Sequence, residues 1–376
     1  MLLPPIVGDV RFRLAVVIAG IVPAFALTLV VVNRYKDERA QLAQEWAARG
    51  VQDLRTNPGV AVADFRSALP YAPDDTETRL QLAEALIAAG QHEQAQGHLL
   101  TLWGAEPGDG RVNLDLARLA AADGDVSGAT RYYHAAIDGA WENGATVARR
   151  TARLELAKFL LQKGQAVRAQ SELIALIDDL PDDPPLITEV AQLLVAAGAE
   201  TRSIGLFERA LALDPGNARA ARLEADVQFH QGRYRIAHDL FAEAQKNGAS
   251  LSGDEQMLLA ATGRMPALDP FAARLTAARR LQRALDGLAI ARTRIARCQA
   301  ASLQPPDAAH LSDLSAQADA FDALPRRRLE RDPDQVTDLV NLVMEIEALP
   351  AKACGPDTPD DRALQLIAAQ HGLQAR

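Results

Sequence analysis

Two cysteines and seven histidines are the chain's whole supply of thiol and imidazole groups. Neither Cys298 nor Cys354 belongs to a CxxC pair, and His310 and His371 lack ligand spacing, so no zinc or other metal site is expected. Each cysteine follows a long helical stretch. In an up-down-up bundle those two ends share a side, so a Cys298–Cys354 disulfide is geometrically sensible. Two separate buried thiols are the competing reading. A disulfide persists in oxidising compartments, which favours a location outside the cytoplasm. The signatures of an activated serine, a phosphate-binding loop, a zinc protease and a covalently held haem are all missing. The acidic pairs Asp178–Asp179 and Asp182–Asp183 lie beside prolines, where helix termination explains them. The residues therefore predict no enzyme and no cofactor.

The elements that carry these residues are organised around Thr76–Asp109. That stretch reads as one apolar-periodic helix, a turn at Gly90, a second helix, and then Pro107. Leu82, Ala83 and Leu86 share one face, and Ala95, Leu99 and Leu102 another. Neither helix can bury its face alone, so the unit needs copies of itself on both sides. Sliding by about 34 residues finds them. Ala61, Phe65, Ala68 and Pro73 precede it, while Leu116, Ala117, Gly124, Ala129, Tyr133 and Ala136 follow. The register slips near Asn143–Ala145 and resumes at Leu156, Ala157, Gly164, Ala169, Leu173, Leu176 and Pro181. Val190, Ala191, Gly198, Phe207, Ala210 and Pro215 form the next unit, and Ala225, Gly232, Tyr234, Ala237, Phe241 and Ala244 the last. In the first unit, Ala48 and Arg49 occupy the first-helix landmark places, with Gly50 one place late.

On these landmarks the chain resembles the tetratricopeptide repeat family over about Gln41–Leu251. The resemblance implies an all-α superhelical solenoid of about six helix-turn-helix repeats that binds proteins. It further implies that the first helices line a concave groove. Here that groove would carry Glu84, Arg111, Arg118 and Lys158, then Gln192, Arg222, Asp226 and Phe229, with Leu80 and Leu114 among them. Its basic middle suits an acidic or carboxylate-bearing segment. No repeat carries the Lys/Asn clamp that family members use for a terminal carboxylate. Trp141, just before the register slip, is read as a cap on the hydrophobic seam, with an exposed partner anchor as the alternative.

A net charge of −9 argues against nucleic-acid partners, which call for a basic stripe. Leu14–Val32 is an uninterrupted uncharged run, long enough to cross a ~30 Å hydrocarbon core as a helix. Ala24-Phe25-Ala26 imitates a signal-peptidase site, but cleavage there would leave an apolar mature terminus, so an uncleaved anchor is the preferred reading. The expected organisation is a tail over 1–13, a transmembrane helix over 14–32, a helical linker over 33–41, the solenoid over 42–251 and a helical bundle over 252–376. In the bundle, Phe271–Ala300 reads as a long helix with Leu281, Leu285, Leu288 and Ile295 in a near-heptad seam interrupted by Arg292. Self-association through that seam is an alternative use for it. A third helix is expected to end at Pro350, and Arg326-Arg327-Arg328 to be a solvated turn.

The reading that follows is a scaffold anchored once in the bacterial inner membrane, its soluble part in the periplasm. It would hold partner proteins in assembly or stabilisation of an envelope complex. The alternative is an accessory subunit built permanently into such a complex through its C-terminal bundle.

Overall fold

The computed structural model describes residues 10–300, 307–349 and 354–373, and the expected end of a helix at Pro350 lies outside them. The described residues are helical throughout, apart from an isolated bridge between Asp109 and Ala140. They form two compact units, residues 1–176 and 177–376.

The first unit holds helices α1 (Val10–Asp53), α2 (Pro58–Ala68), α3 (Thr76–Ala88), α4 (His92–Ala105), α5 (Gly110–Ala122), α6 (Val126–Asp138), α7 (Ala145–Gln162) and α8 (Ala166–Ile177). The apolar run, the linker and the first repeat's first helix are one element, because α1 has no break between them. Its side chains from Val17 to Val32 are exposed, whereas Ala43 and Gly50 are buried against the repeat. Gly50 is the close-approach position of this helix: a Cβ there would sit 2.8 Å from the Phe65 ring. The small residue of the first repeat's first helix is thus Gly50, one place later than the period of the other units calls for.

Neighbouring hairpins supply the burial that a single hairpin lacks. Phe65 of α2, Leu82 and Leu86 of α3, Leu99 of α4 and Leu116 of α5 fall in one apolar cluster. Leu114, Tyr133, Leu156 and Ala169 carry a second cluster into the fourth hairpin. Each fully buried leucine stabilises the stack by about 1.5–3 kcal/mol. Helix starts are set by Asp75, Asp109 and Asp125, whose side chains accept hydrogen bonds from backbone N–H groups of the first turn. The inter-helix turns use left-handed glycines at 90, 124, 164, 198 and 232. Their interval is 34 residues except for 40 between Gly124 and Gly164, which is where the register slips.

The second unit contains α9 (Pro184–Ala196), α10 (Glu200–Leu213), α11 (Ala218–His230), α12 (Tyr234–Lys246), α13 (Gly253–Leu268), α14 (Ala277–Ala300), α15 (Asp307–Asp322), α16 (Arg326–Arg331), α17 (Pro333–Glu347) and α18 (Pro359–Gln370). After the α9/α10 and α11/α12 hairpins, α13 packs on α12 and lies along α18, although four helices separate these two in sequence. Arg264 of α13 makes a two-pronged contact with Asp360 of α18, at 2.5 and 3.1 Å. The last helix therefore returns to complete a hairpin-like pair, and α14–α17 are inserted into it.

Three expectations change here. The long helix begins at Ala277, not Phe271. Its buried stripe is Leu281, Ala284, Leu288, Ala291, Ile295 and Cys298, turned inward onto α17. Arg292 is a flanking residue paired with Asp319 and Asp322 of α15, so it interrupts nothing. The apolar stripe of α14 is therefore packed inside the bundle. Lastly, Arg326–Arg331 is a short helix that buries Leu329, where a solvated turn was expected.

Candidate functional site

Repeats of one length place equivalent residues of successive first helices side by side. Glu77 and Glu84 of α3 thereby face Arg111 of α5, at 2.8 and 3.0 Å. Further along α5, Arg118 meets Glu155 of α7 with both Nε and Nη2, at 3.0 and 2.8 Å, and Asp115 of its own helix at 3.3 Å. Tyr133 donates its hydroxyl to the same Glu155 at 3.3 Å. The bond to Glu155 holds the Arg118 guanidinium above its usual range. Burial, reinforced by Glu84, pushes Asp115 up to about 7. One of its carboxyl oxygens is buried without a hydrogen bond.

The basic middle read from the sequence is thus a set of matched charges, Arg111 paired with Glu77 and Glu84, and Arg118 with Asp115 and Glu155. Lys158 lies half-buried on α7, one turn beyond Glu155. Leu80 and Leu114 are buried, and Leu80 forms part of the floor of a cleft beside Glu77 and Arg111. Such a surface can recognise a polar segment by exchanging ion pairs with it, and it offers no unscreened cationic clamp.

In the second unit, Gln192 of α9 accepts from Arg219 of α11 at 2.5 Å. Arg222 pairs with Glu255 of α13 at 3.3 Å. Asp226 is raised by burial and then by Glu255. Phe229 is partly buried, with its ring 5.3 Å from Tyr234 and 5.9 Å from His230. It packs against the apolar clusters of the last hairpin and the bundle with part of its side chain still exposed.

Trp141 closes the seam at the register slip. Its Nε1–H donates to the Ala136 carbonyl at 2.9 Å, and the indole lies on Gly110, where a Cβ would come within 2.3 Å. The inserted segment pairs back through Gly110 N–H to Ala140 O at 2.9 Å and Ala140 N–H to Gly108 O at 2.8 Å. A cleft of about 270 Å³ beside it is lined by Glu77, Leu102, Arg111 and Trp141.

A second charged cluster escaped the sequence reading. Arg294 of α14 is 1 % exposed. Its guanidinium reaches Asp357 at 2.7 Å, the Leu349 carbonyl at 2.5 Å, Glu347 at 3.6 Å and Asp361 at 3.8 Å. Arg297 adds a 2.6 Å contact to Asp361. Asp361 also caps α18 with Thr358. Burial first, then the Asp361 charge, pushes Glu347 up to about 8. Among the described residues neither Glu347 carboxyl oxygen accepts a hydrogen bond. The available signal was an arginine beside an otherwise apolar stripe, one turn before Cys298. Cys298 and Cys354 are joined by a disulfide, both buried, with Cα atoms 3.9 Å apart. The bond ties α14 to the segment that brings Asp357 over Arg294. No group of three or more His, Cys, Asp or Glu residues is placed to hold a metal among the described residues.

A tetratricopeptide-repeat family model matches residues 56–119. No curated protein matches the chain in sequence. Among solved structures it is similar to the C-terminal part of a TPR repeat-containing protein from Cytophaga hutchinsonii. That match has 12% identity, 81% of this chain, 97% of that one and a TM-score of 0.45. It is also similar to PilW, described as a type IV pilus biogenesis factor, with 21% identity, 60% and 98% coverage and a TM-score of 0.40. A third likeness is to YrrB, described as a TPR protein with an unusual peptide-binding site, with 15% identity, 52% and 95% coverage and a TM-score of 0.41. At such identities the likeness is one of fold alone. The family match, residues 56–119, lies on hairpins whose packing and glycine turns repeat along the chain, so it is this segment that is identified as tetratricopeptide repeat and the neighbouring hairpins that continue its pattern.

Proposed function

We propose that the chain is a scaffold anchored by α1 in a bacterial inner membrane, holding partner proteins on its repeat faces during assembly or stabilisation of an envelope complex. The observation that carries this reading is the continuity of α1, which joins an exposed apolar run directly to a protein-binding repeat. A side chain set that is apolar, exposed and long enough to span a bilayer has no reason to exist in water. The Cys298–Cys354 disulfide supports a periplasmic soluble part, because such a bond is kept in oxidising compartments. Two faces are proposed for partners, each within its own unit: Glu84, Arg111, Arg118 and Lys158 in the first, and Gln192, Arg222, Asp226 and Phe229 in the second.

Membrane fractionation of the full chain and of a chain starting at Asn33 tests the anchor. The full chain is expected in the membrane fraction after carbonate washing and the shortened chain in the soluble one. Recovery of the full chain as soluble protein overturns the reading. A photo-crosslinking residue at Gln192, compared with one at Leu100 on α4, tests the groove. Capture from Gln192 alone is the expected result. Capture confined to positions beyond Ser252 would favour the other reading, an accessory subunit held through its inserted helices. That second reading draws on the bundle's own buried ion cluster and disulfide.

A further inference from the structure

We propose that the Leu69–Pro73 loop, which follows the first hairpin and leads from α2 to α3, rests in the lipid headgroup layer with Tyr71 as its contact, so that the repeats are held against the bilayer. The proposal rests on the anchoring role of α1 given above. The apolar run ends at Val32, and Arg39 follows seven residues later in the same unbroken helix, roughly 10 Å farther along at 1.5 Å per residue. Arg39 donates a hydrogen bond to the Pro70 carbonyl, and because a long helical side chain leans toward its helix's N-terminus, the loop is held on the bilayer side of Arg39's own turn. Later residues of α1 meet earlier residues of α2, as Gly50 against Phe65 shows. So α2 runs back toward the bilayer and delivers the loop at its lower end. The headgroup layer is about 5–8 Å deep on each side of the hydrocarbon.

The loop's chemistry fits that depth. Leu69-Pro70-Tyr71-Ala72-Pro73 carries no charge, and Pro70, Tyr71 and Pro73 are exposed. At the corresponding step before the proline, the second repeat has Glu106 and the fifth Asp214, where the first has Ala72. On α1 itself Tyr35 is 60% exposed with the Arg39 guanidinium 5.8 Å from its ring, and Arg34 and Lys36 flank it. Two tyrosines and three basic side chains thus ring the end of the membrane helix. Tyrosine favours this interface, and long basic side chains reach lipid phosphates from it.

The test uses the full chain in nanodiscs, its native disulfide intact, with one added cysteine carrying a bimane fluorophore. Tyr71→Cys reports the loop, Val30→Cys the anchor, and Glu93→Cys the far end of the second hairpin. Lipids bearing a headgroup nitroxide are expected to quench Val30 and Tyr71 labels strongly, and the Glu93 label several-fold less. If Val30 is quenched while Tyr71 matches Glu93, the helix spans the bilayer and the loop contact is refuted. If none of the three is quenched, the anchoring reading fails and takes the loop proposal with it. Circular dichroism of each variant checks that the repeats remain folded.

Discussion

The repeat face of the first unit and the inserted bundle of the second both join helices through arginine and carboxylate, and they do so under opposite conditions. On the repeat face, Arg111 and Arg118 keep 35% and 43% of their side chains in water. Their partners lie one repeat away, so the contacts recur along the chain. In the bundle, Arg294 and Glu347 are each 1% exposed, and the partners Asp357 and Asp361 lie more than 60 residues distant. Exposed pairs of the first kind are worth about 0–1 kcal/mol each. A buried charge that loses its partner costs about 3–5 kcal/mol. One arrangement can be remodelled by a partner with little consequence for the fold. The other ties four elements into a single geometry.

The largest effect should come from Arg294→Ala, which leaves Asp357, Asp361 and Glu347 without their shared cation. Urea unfolding of the second unit should show a loss of about 3–5 kcal/mol, while Arg118→Ala changes the first unit by at most about 1 kcal/mol. Equal losses would erase the contrast. Reduction comes next. Opening the disulfide frees a span of 56 residues, for which loop entropy gives about 4 kcal/mol. Dithiothreitol should lower the second unit's midpoint and leave the first unit's unmoved.

Glu347 sharpens the comparison through pH. Its folded value of about 8 stands above the unfolded 4.5, so the folded state binds the proton more tightly. Its contribution is complete below about pH 4.5 and disappears as pH rises through 8. Stability should fall by up to about 1.4 kcal/mol per pH unit across that window, and Glu347→Gln should flatten the slope. Arg294, Arg297, Asp357 and Asp361 face the group. The smallest effect is Asp75→Ala, which removes the cap of α3 and should cost the first unit about 1 kcal/mol in the same urea measurement.

How much of this was legible differs by region. The hairpins could be read residue by residue, because Ala83, Leu99 and Gly90 each serve a local requirement that recurs at a fixed period. Even the slip after Gly139 was visible, and Trp141 was correctly given to the seam it covers. The candidate groove was legible only as positions. Glu77 stands 34 residues before Arg111 and Glu155 37 after Arg118, yet a list of one helix's outward residues does not reveal that its neighbours answer each charge.

By itself the sequence determined the helical class, the repeat period and phase, the glycine turns and an apolar run of membrane-spanning length. All of these depend on interactions within one or two turns, or on a repetition that makes the neighbour predictable. Only the tertiary structure decided that α18 returns to α13, that α14 turns its stripe onto α17, and that Arg294 is buried beside Glu347. Those contacts join residues far apart in the chain with no repeat to foretell them. Their energy comes from desolvation, which exists only once every surrounding element is in place.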